Sequence, residues 1–465
     1  MSTLARPTTF PQLPALDRDA RIVGAAGAVV VLAGGVAVYS PKYVVVAAVV
    51  AGLVALAFWR LALGVACFTV ITFPEHLPGS LGAGATVAKP LGVVLAVAWA
   101  AGVLSRRGSS RLLARDQPAI FWTVSALVAL GAASSLWATD FSQTRFQLQR
   151  LVLAALLLLV VYTAASTAAA FRTVVWAFLI GSVVTAGYGI ASGGYGHGRL
   201  SGIFDPNYFA AELIPAILVS CFLLVTAGSG RMRSIAAVVL AVDSVAFALT
   251  QSRGGIIALS VAFVAAVILA GRARPRMLAT VLAVFAVGIG YYFAYSPSHL
   301  RGSFSGSLAG ASSGRSDEWR IALRMLRNHP LNGVGLGNFV VVEPSYATQS
   351  INLSFVRLVV AKPLVAHNSY LELGAELGVG GLVLFVTALS LAVARARRAL
   401  SSFAPGDGLE FYARGVVAGA IGMFAAYAFL SGQYEKQLWL VLGVLAAIPA
   451  VVQGHGANSP PMQES

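Results

Sequence analysis

Charged residues are scarce in this sequence of 465 residues: they make up 11% of it, whereas a soluble globular domain has about a quarter. Cysteine occurs only twice, at Cys67 and Cys221. Both lie inside apolar runs, where small core residues are expected rather than a disulfide or a thiolate metal site. No two of the six histidines stand at metal-ligand spacing. These shortages argue against an ordinary soluble domain and predict neither a bound metal nor a cofactor.

Apolar residues are what the sequence has in excess: 58% are hydrophobic, and the mean hydropathy is +0.81. Runs of ~17–25 apolar residues, long enough to cross a bilayer as helices, recur along the chain. They predict an all-α polytopic membrane protein with about 12–14 transmembrane helices. The spans are expected near 22–39, 43–59, 61–73, 89–105, 119–137, 149–165, 171–191, 208–227, 234–250, 255–271, 277–294, 370–394, 412–431 and 437–453.

Basic residues mark the predicted orientation. The connections at 106–116, 230–233, 271–276 and 395–398 are rich in arginine, and such loops stay in the cytoplasm. The net charge of +15 is therefore attributed to orientation and anionic ligands, not to nucleic acid. The predicted organisation is a cytoplasmic tail (1–21), eleven helices (22–294), a long external loop (295–366), three last helices (367–453) and a second cytoplasmic tail (454–465).

Every unusual polar cluster then falls on the outer side. The clusters are "GGYGHGRLSGIFDPN" (193–207), "QSRGG" (251–255), the long loop, and "AHNSYLELGAELGVGGLVLF" (366–385). Nucleotide-activated donors are not supplied on that side. Chemistry there must use a donor that is already activated and is carried in the membrane.

The long loop contains an expected amphipathic helix that ends at His329-Pro330. Ser316 is a candidate cap, and the apolar stripe is expected at Trp319, Ala322, Leu323 and Leu326. Arg320, Arg324 and Arg327 follow the opposite side. Such a helix fits the plane of the membrane interface, and its arginines equally fit a solvated face that meets anionic headgroups.

Two of the external clusters have both a structural and a functional interpretation. Arg253 is either a snorkelling residue or a fork for phosphate oxygens of a lipid diphosphate. Asp205-Pro206 is a good helix start that Asn207 completes, and the same helix start can bind an anion. Arg199 precedes it in a glycine-rich loop. Glu212, one turn into the helix, needs a partner, for which Arg199 and Arg253 are the candidates.

The stretch at 366–385 combines a histidine with two acids. In a helix that starts near Asn368, the side chains of Asn368, Glu372 and Glu376 share one stripe, which must face protein or water. His367 lies just outside the bilayer. It is either a packed ring beside the cap or a base for a sugar hydroxyl, to which its ordinary pKa of ~6.5 is suited.

These elements together resemble the O-antigen ligase / O-antigen polymerase superfamily. The resemblance rests on "GIFDPNYFAAEL", "QSRGG", "GRSDEWRIALRMLRNHPLNGVGLGNF" and "HNSYLELGAELGVGGLVLF", in this order, over roughly residues 190–390. It implies a C-type membrane glycosyltransferase fold. The implied activity moves a glycan from a polyprenyl diphosphate to an acceptor hydroxyl on the outer side of the bacterial cytoplasmic membrane, without a metal ion and with inversion.

The resemblance also implies roles for individual residues. His367 matches the histidine of the long outer loop, expected as the base, and Arg253 matches the arginine expected on the diphosphate. An arginine that precedes the tryptophan, His-Pro and GVG elements of the loop is matched by Arg315, with the nearby Arg320 as the alternative in a shifted register. Asp205 and Asn207 match the DPN element. A count above the usual twelve spans is the departure from the family.

Other functions stay open at this stage. The acceptor, a glycan, a glycolipid or a protein, separates a ligase from a polymerase, and the sequence does not decide between them. A flippase for lipid-linked oligosaccharide is expected to carry charges through the whole membrane depth, whereas only Glu212 and Asp243 lie well inside the predicted spans. A non-catalytic subunit of an envelope-assembly complex is a third interpretation.

Overall fold

The computed structural model describes residues 51–73, 88–105, 111–191, 195–196, 199–200, 205–295, 315–348, 364–404 and 407–456. These residues are almost all helical. Two strands of two residues each, β1 (Tyr195–Gly196) and β2 (Arg199–Leu200), form one antiparallel pair. The helices are α1 (Leu61–Thr72), α2 (Ala88–Leu104), α3 (Leu113–Asp116), α4 (Pro118–Ala133), α5 (Phe141–Ala164), α6 (Ala168–Ala191), α7 (Pro206–Thr226), α8 (Gly230–Thr250), α9 (Arg253–Leu269), α10 (Arg274–Tyr295), α11 (Arg315–Asn328), α12 (Phe339–Thr348), α13 (Ser369–Ala399), α14 (Gly408–Ala426) and α15 (Lys436–Gly456).

Eight of the described helices, α4–α8 and α13–α15, are long and apolar enough to cross a membrane. The pair α9 and α10, bent by 115° between them, meets the same criteria jointly. An all-α polytopic membrane protein is thereby confirmed. The predicted span at 22–39 and the first part of that at 43–59 lie outside the described residues, so the total of 12–14 stays a prediction.

Helix α7 is the centre of the bundle: most of its side chains are buried against α8, α9 and α14. Glycines on α14 permit the closest approach. A Cβ at Gly415 would lie 2.6 Å from Val219 Cα, and one at Gly419 would lie 2.5 Å from Pro215 Cα. Small residues at helix crossings replace the hydrophobic driving force that lipid does not provide. Bulky replacements on α14 would therefore push it away from α7.

The start of α5 differs from the prediction. The apolar run placed a span at 149–165, but the helix begins at Phe141 because the Asp140 carboxylate caps it, accepting from the Ser142 N–H at 2.7 Å. The first turns of α5 carry Gln143, Arg145 and Gln147, which hydropathy alone leaves out of a span. The helix therefore projects beyond its apolar part.

The bundle has two distinct ends. One, called here the His367 end, carries Asp205, Arg253, His367, the α4–α5 turn and the loop between α14 and α15. The opposite end holds the first residues of α8 and the last residues of α9 and α13. There Arg395 donates to Gln117 at 2.9 Å and Arg111 donates to Gln453 at 2.9 Å. The arginine-rich connections at 230–233, 271–276 and 395–398, and the described part of 106–116, lie at that opposite end.

Helices α11 and α12 form a small second core over α13 at the His367 end, with Ile321, Met325 and Phe339 at its centre. The amphipathic character of α11 is confirmed, but two details were wrong. Ser316 lies inside the first turn and does not precede it. The buried face is Asp317, Glu318, Ile321, Ala322 and Met325, whereas Leu323 is 38% exposed. The reason is tertiary, because α11 packs on protein surfaces of α12 and α13 that its own sequence does not reveal.

Candidate functional site

Hydrogen bonds tie the start of α7 to the start of α9. The Asp205 carboxylate accepts from the backbone N–H of Asn207 at 2.8 Å and from its side-chain amide at 2.7 Å, which confirms the predicted cap. The Ser252 hydroxyl donates to the Asn207 amide oxygen at 2.8 Å, and Ser252 caps α9 by accepting from Gly255 at 3.1 Å. Arg253 is the first residue of α9 and is half-buried. Two of the predicted motifs, DPN and SRGG, therefore form one assembly.

The two glycines after Arg253 allow this assembly to close. A Cβ at Gly254 would lie 2.7 Å from Phe429 Cβ, and one at Gly255 would lie 2.9 Å from Ala210 Cβ. Helix α9 thus begins in direct contact with α7 and with the 3-10 turn that follows α14. This packing fixes the backbone from which the Arg253 side chain extends.

His367 directly precedes α13 and has a left-handed backbone with φ of 46°. The prediction that the helix starts at Asn368 is confirmed: the Asn368 side chain accepts from the N–H groups of Tyr370 and Leu371, both at 3.0 Å. The N–H and the hydroxyl of Ser369 both donate to the Leu430 carbonyl at 2.7 Å. The chain is consequently anchored immediately after His367, and the imidazole itself stays half-buried.

Three of the predicted site residues act on one another electrostatically. Burial lowers the pKa of the His367 imidazole, the positive charge of Arg315 lowers this pKa further, and the negative charge of Asp205 opposes both effects. The histidine, the arginine at the start of α11 and the acid at the start of α7 are therefore close enough at the His367 end for their charges to interact. At neutral pH the imidazole is held in its neutral form, which can accept a proton.

The two arginines that the sequence left as alternatives on α11 differ in position. Arg315 is half-buried and its charge reaches both His367 and Glu318. The side chain of Arg320 is 63% exposed and pairs with Asp317 at 3.4 Å. Arg315 is thus the one whose charge acts on the histidine.

Glu372, on the predicted stripe of α13, is buried, and its carboxylate accepts three hydrogen bonds. It accepts from the Ala366 N–H at 3.1 Å, from the Gln433 amide at 2.8 Å and from the Ser431 hydroxyl. A carboxylate with this many donors serves as an anchor between the chain before His367 and the loop between α14 and α15.

Glu376, one turn further on, is also buried, and Tyr434 donates to it at 3.4 Å. The prediction that Asn368, Glu372 and Glu376 share one stripe, which faces protein or water, is confirmed, and of the two surroundings the stripe faces protein.

Helix α13 is broken at Gly378, and the segment that follows α11 forms hydrogen bonds with the backbone at this break. Gly378 has a φ of 68°, and around it the carbonyls of Ala375 and Glu376 accept from Val334 at 3.0 Å and Gly335 at 2.9 Å. The Val379 N–H in turn donates to Pro330 at 2.8 Å. The segment 330–338 therefore replaces backbone hydrogen bonds that the break in the helix gives up.

The same segment is also fastened to the α4–α5 turn. The Asn338 side-chain amide donates to the Thr144 hydroxyl at 2.8 Å, and the Asp140 N–H donates to the Asn338 amide oxygen at 2.6 Å. The Leu336 N–H donates to Ser134 at 3.0 Å. "GVGLGN" is accordingly a structural connector. Its glycines at 333, 335 and 337 all have positive φ, and their spacing was the sequence feature that indicated an unusual backbone in this segment.

Gly333→Ala should destabilise the protein strongly, because Gly333 has a φ of 63° and a Cβ there would lie 2.3 Å from the Glu376 carbonyl. The expected loss is about 2–4 kcal/mol of unfolding free energy. Thermal melting in detergent measures it. The matched control is Gly187→Ala on α6, where a new Cβ meets nothing within 4 Å. Equal melting temperatures for the two variants would contradict the connector role.

The sequence did not predict two buried acids near the site, one on α11 and one on α12. Glu318 and Glu343 are 2% and 0% exposed. The pKa of each is raised to about 7, and burial is the largest cause. For Glu318 the negative charge of Glu343 contributes to the raised pKa, and the positive charge of Arg315 opposes it. Glu343 lies in the apolar run "FVVVEPSYA", where a lone acid was the only signal.

Two further predicted residues are placed only in part. Glu212 is 3% exposed and lies in the second turn of α7. Arg199 belongs to strand β2, and its side chain lies outside the described residues. The predicted pairing of Glu212 with Arg199 or with Arg253 therefore stays a prediction.

The fold and the site define a polytopic membrane protein with a polar site at one end of its helix bundle. Residues 235–386 match the family model described as O-antigen ligase, which confirms the resemblance to the O-antigen ligase / O-antigen polymerase superfamily. The matched stretch includes Arg253, Arg315 and His367. No curated protein matches the chain. The family supports a glycosyltransferase activity of the ligase or polymerase type and fits a multi-pass protein of the bacterial inner membrane.

Proposed function

We propose that this protein transfers a glycan from a polyprenyl diphosphate carrier to an acceptor hydroxyl at the His367 end. The observation that carries the proposal is the convergence of His367, Arg315 and Asp205, with Arg253 joined to Asp205 through Asn207 and Ser252. A neutral imidazole that can accept a proton thus stands beside guanidinium groups that can bind a diphosphate. The match to the O-antigen ligase family supports the same reaction.

The His367 end faces the outside of the membrane in this proposal. The described arginine-rich connections lie at the opposite end, and positively charged loops remain in the cytoplasm. A donor that reaches the outer face must be activated and membrane-bound, as a polyprenyl diphosphate glycan is. Both termini are then cytoplasmic.

The reaction is a single displacement at the anomeric carbon. The acceptor oxygen forms a bond to C1 while the bond from C1 to the diphosphate oxygen breaks, and His367 takes the proton that the acceptor hydroxyl loses. Arg253 and Arg315 stabilise the negative charge that develops on the leaving diphosphate. Attack from the face opposite the leaving group inverts the anomeric configuration.

The pH dependence of transfer should move in opposite directions in two variants. His367 acts in its neutral form, so kcat falls as the pH drops through its pKa, which burial and Arg315 hold below 6.5. Arg315→Gln removes a positive charge, raises this pKa and moves the acidic limb to higher pH. Asp205→Asn removes a negative charge and moves the limb to lower pH. The measurement is kcat against pH at saturating donor, and shifts of the same sign in both variants would contradict the arrangement.

Orientation can be tested on intact cells after Cys67 and Cys221 are replaced by serine. A membrane-impermeant maleimide should label Ser345→Cys, an exposed position on α12, and should spare Arg397→Cys, an exposed position at the opposite end. Permeabilised cells should show both labelled. Labelling of position 397 alone on intact cells would place the site in the cytoplasm and end the proposal.

The proposed activity is tested with purified protein, a polyprenyl diphosphate glycan and a panel of acceptors, with no nucleotide sugar added. Product mass identifies the transferred unit. A second lipid-linked glycan as the preferred acceptor indicates a polymerase, and a glycolipid or protein acceptor indicates a ligase. If the intact donor instead moves across the membrane of protein-containing vesicles and no transfer product forms, the flippase interpretation is favoured.

A further inference from the structure

The chain that leads into His367 is held by two carboxylates on alternate residues. The Leu364 N–H donates to Glu343 at 2.7 Å, and the Ala366 N–H donates to Glu372 at 3.1 Å. Glu343 lies on α12 and Glu372 lies on α13, so residues 364–366 are hydrogen-bonded to two different helices. Ala366 itself is fully buried in the small core under α11.

Beyond His367 the chain is equally restrained, by the Asn368 cap and by the bonds of Ser369 to Leu430. The left-handed backbone of His367, with φ of 46°, lies between these two anchors. A positive φ is uncommon for residues other than glycine, although histidine adopts it more readily than most, and the anchors on both sides hold His367 in it. The position of the imidazole therefore depends on the anchors on both sides.

We propose that Glu343 is a positioning residue for His367, acting through its hydrogen bond to the Leu364 N–H. This inference rests on the proposed function, in which His367 is the base. Glu343 touches neither reacting group. It fixes the main chain so that the imidazole meets the acceptor hydroxyl.

The burial of Glu343 supports this role. One of its carboxyl oxygens has no hydrogen-bond partner among the residues that the structure describes, although the side chain is 0% exposed. Burying a polar group that is incompletely paired is unfavourable, and an apolar residue would avoid the cost. The hydrogen bond to Leu364 is the contact that an apolar residue cannot make. Glu343 is also a cleaner probe than Glu372, which additionally joins the loop between α14 and α15.

The test compares three substitutions, of which Gln and Met are close to Glu in size and Asp is one methylene shorter. Glu343→Gln keeps an acceptor for Leu364, Glu343→Met removes it, and Glu343→Asp keeps the acid but is too short to reach. Because small misplacements of a reacting group cost about 10²-fold, Met and Asp should lower kcat by about 10–100-fold with little change in the donor KM. Gln should stay within a few-fold of wild type, as should the control Ser345→Ala on the same helix.

A second measurement does not depend on transfer. Diethyl pyrocarbonate modifies accessible imidazoles, and peptide mass spectrometry reads the rate at His367 separately. Loosening the segment should raise this rate in the Met and Asp variants and not in Gln or Ser345→Ala. If wild type shows no transfer at all, the proposed function fails, while this rate still decides whether Glu343 holds His367.

Two outcomes would overturn the positioning role. One is a folded Asp or Met variant with wild-type kcat and wild-type modification rate. The other is a Gln variant as impaired as Met, because the negative charge would then matter rather than the acceptor. Should Met fail to fold, the Asp variant, which keeps the carboxyl group, carries the comparison with Gln.

Discussion

His367→Ala is expected to reduce transfer by about 10²–10⁴-fold while donor binding stays close to wild type. The imidazole acts on the acceptor proton, whereas the diphosphate is held by arginines. Loss of the base should therefore lower kcat and leave the donor KM nearly unchanged. Initial rates over a range of donor concentrations provide both constants.

The backbone of His367 dictates the choice of control variants. Alanine is strained at a φ of 46°, but asparagine adopts this conformation readily, so His367→Asn separates loss of the base from backbone strain. Asn368→Ala removes the cap and should cost about 0.5–2 kcal/mol of stability. It should lower kcat less than loss of the imidazole does, because the base is still present although one of its anchors is gone. His367→Gln can form hydrogen bonds but accepts no proton at neutral pH. Wild-type activity in the Gln or Asn variant would disprove the general-base assignment.

Arg253→Ala should have the second largest effect, a loss of about 10²–10³-fold in kcat/KM, because it removes a charge aimed at the leaving diphosphate. The donor KM should rise as well, since the contact exists before the reaction. Arg253→Lys should also lose most of the activity although it keeps the charge. Lysine offers a point charge on a flexible stem, whereas the diphosphate suits a planar fork.

The matched control for Arg253→Lys is Arg272→Lys, an exposed arginine at the opposite end of the bundle. It should retain wild-type kinetics. If Arg253→Lys is equally active, Arg253 serves only to place its charge near water at the membrane boundary, and the diphosphate contact must lie elsewhere.

The features that the sequence predicted well are those set by local chemistry. Asp205-Pro206 starts a helix because a carboxylate beside proline satisfies the first N–H groups, and Asn368 starts α13 for a similar reason. The helical period alone places Glu372 and Glu376 on one face. Because they are polar, that face had to avoid lipid and meet protein or water, and the structure buries it in protein.

The features that the sequence did not predict depend on partners far along the chain. The buried face of α11 is set by α13, so two acids are buried while Leu323 is exposed. The proposed role of Glu343 depends on its hydrogen bond to the Leu364 N–H, 21 residues away in the sequence. The glycine-rich connector at 333–338 acquires its role from the break at Gly378. None of these pairings leaves a periodic trace in the sequence.

The anomeric configuration of the product tests the central claim, one-step transfer with His367 as the base, most directly. A donor of known configuration is converted by the purified protein, and nuclear magnetic resonance reads the new linkage. The account predicts inversion, because the acceptor attacks from the face opposite the diphosphate. Retention would require a covalent glycosyl intermediate on the protein and would contradict the account.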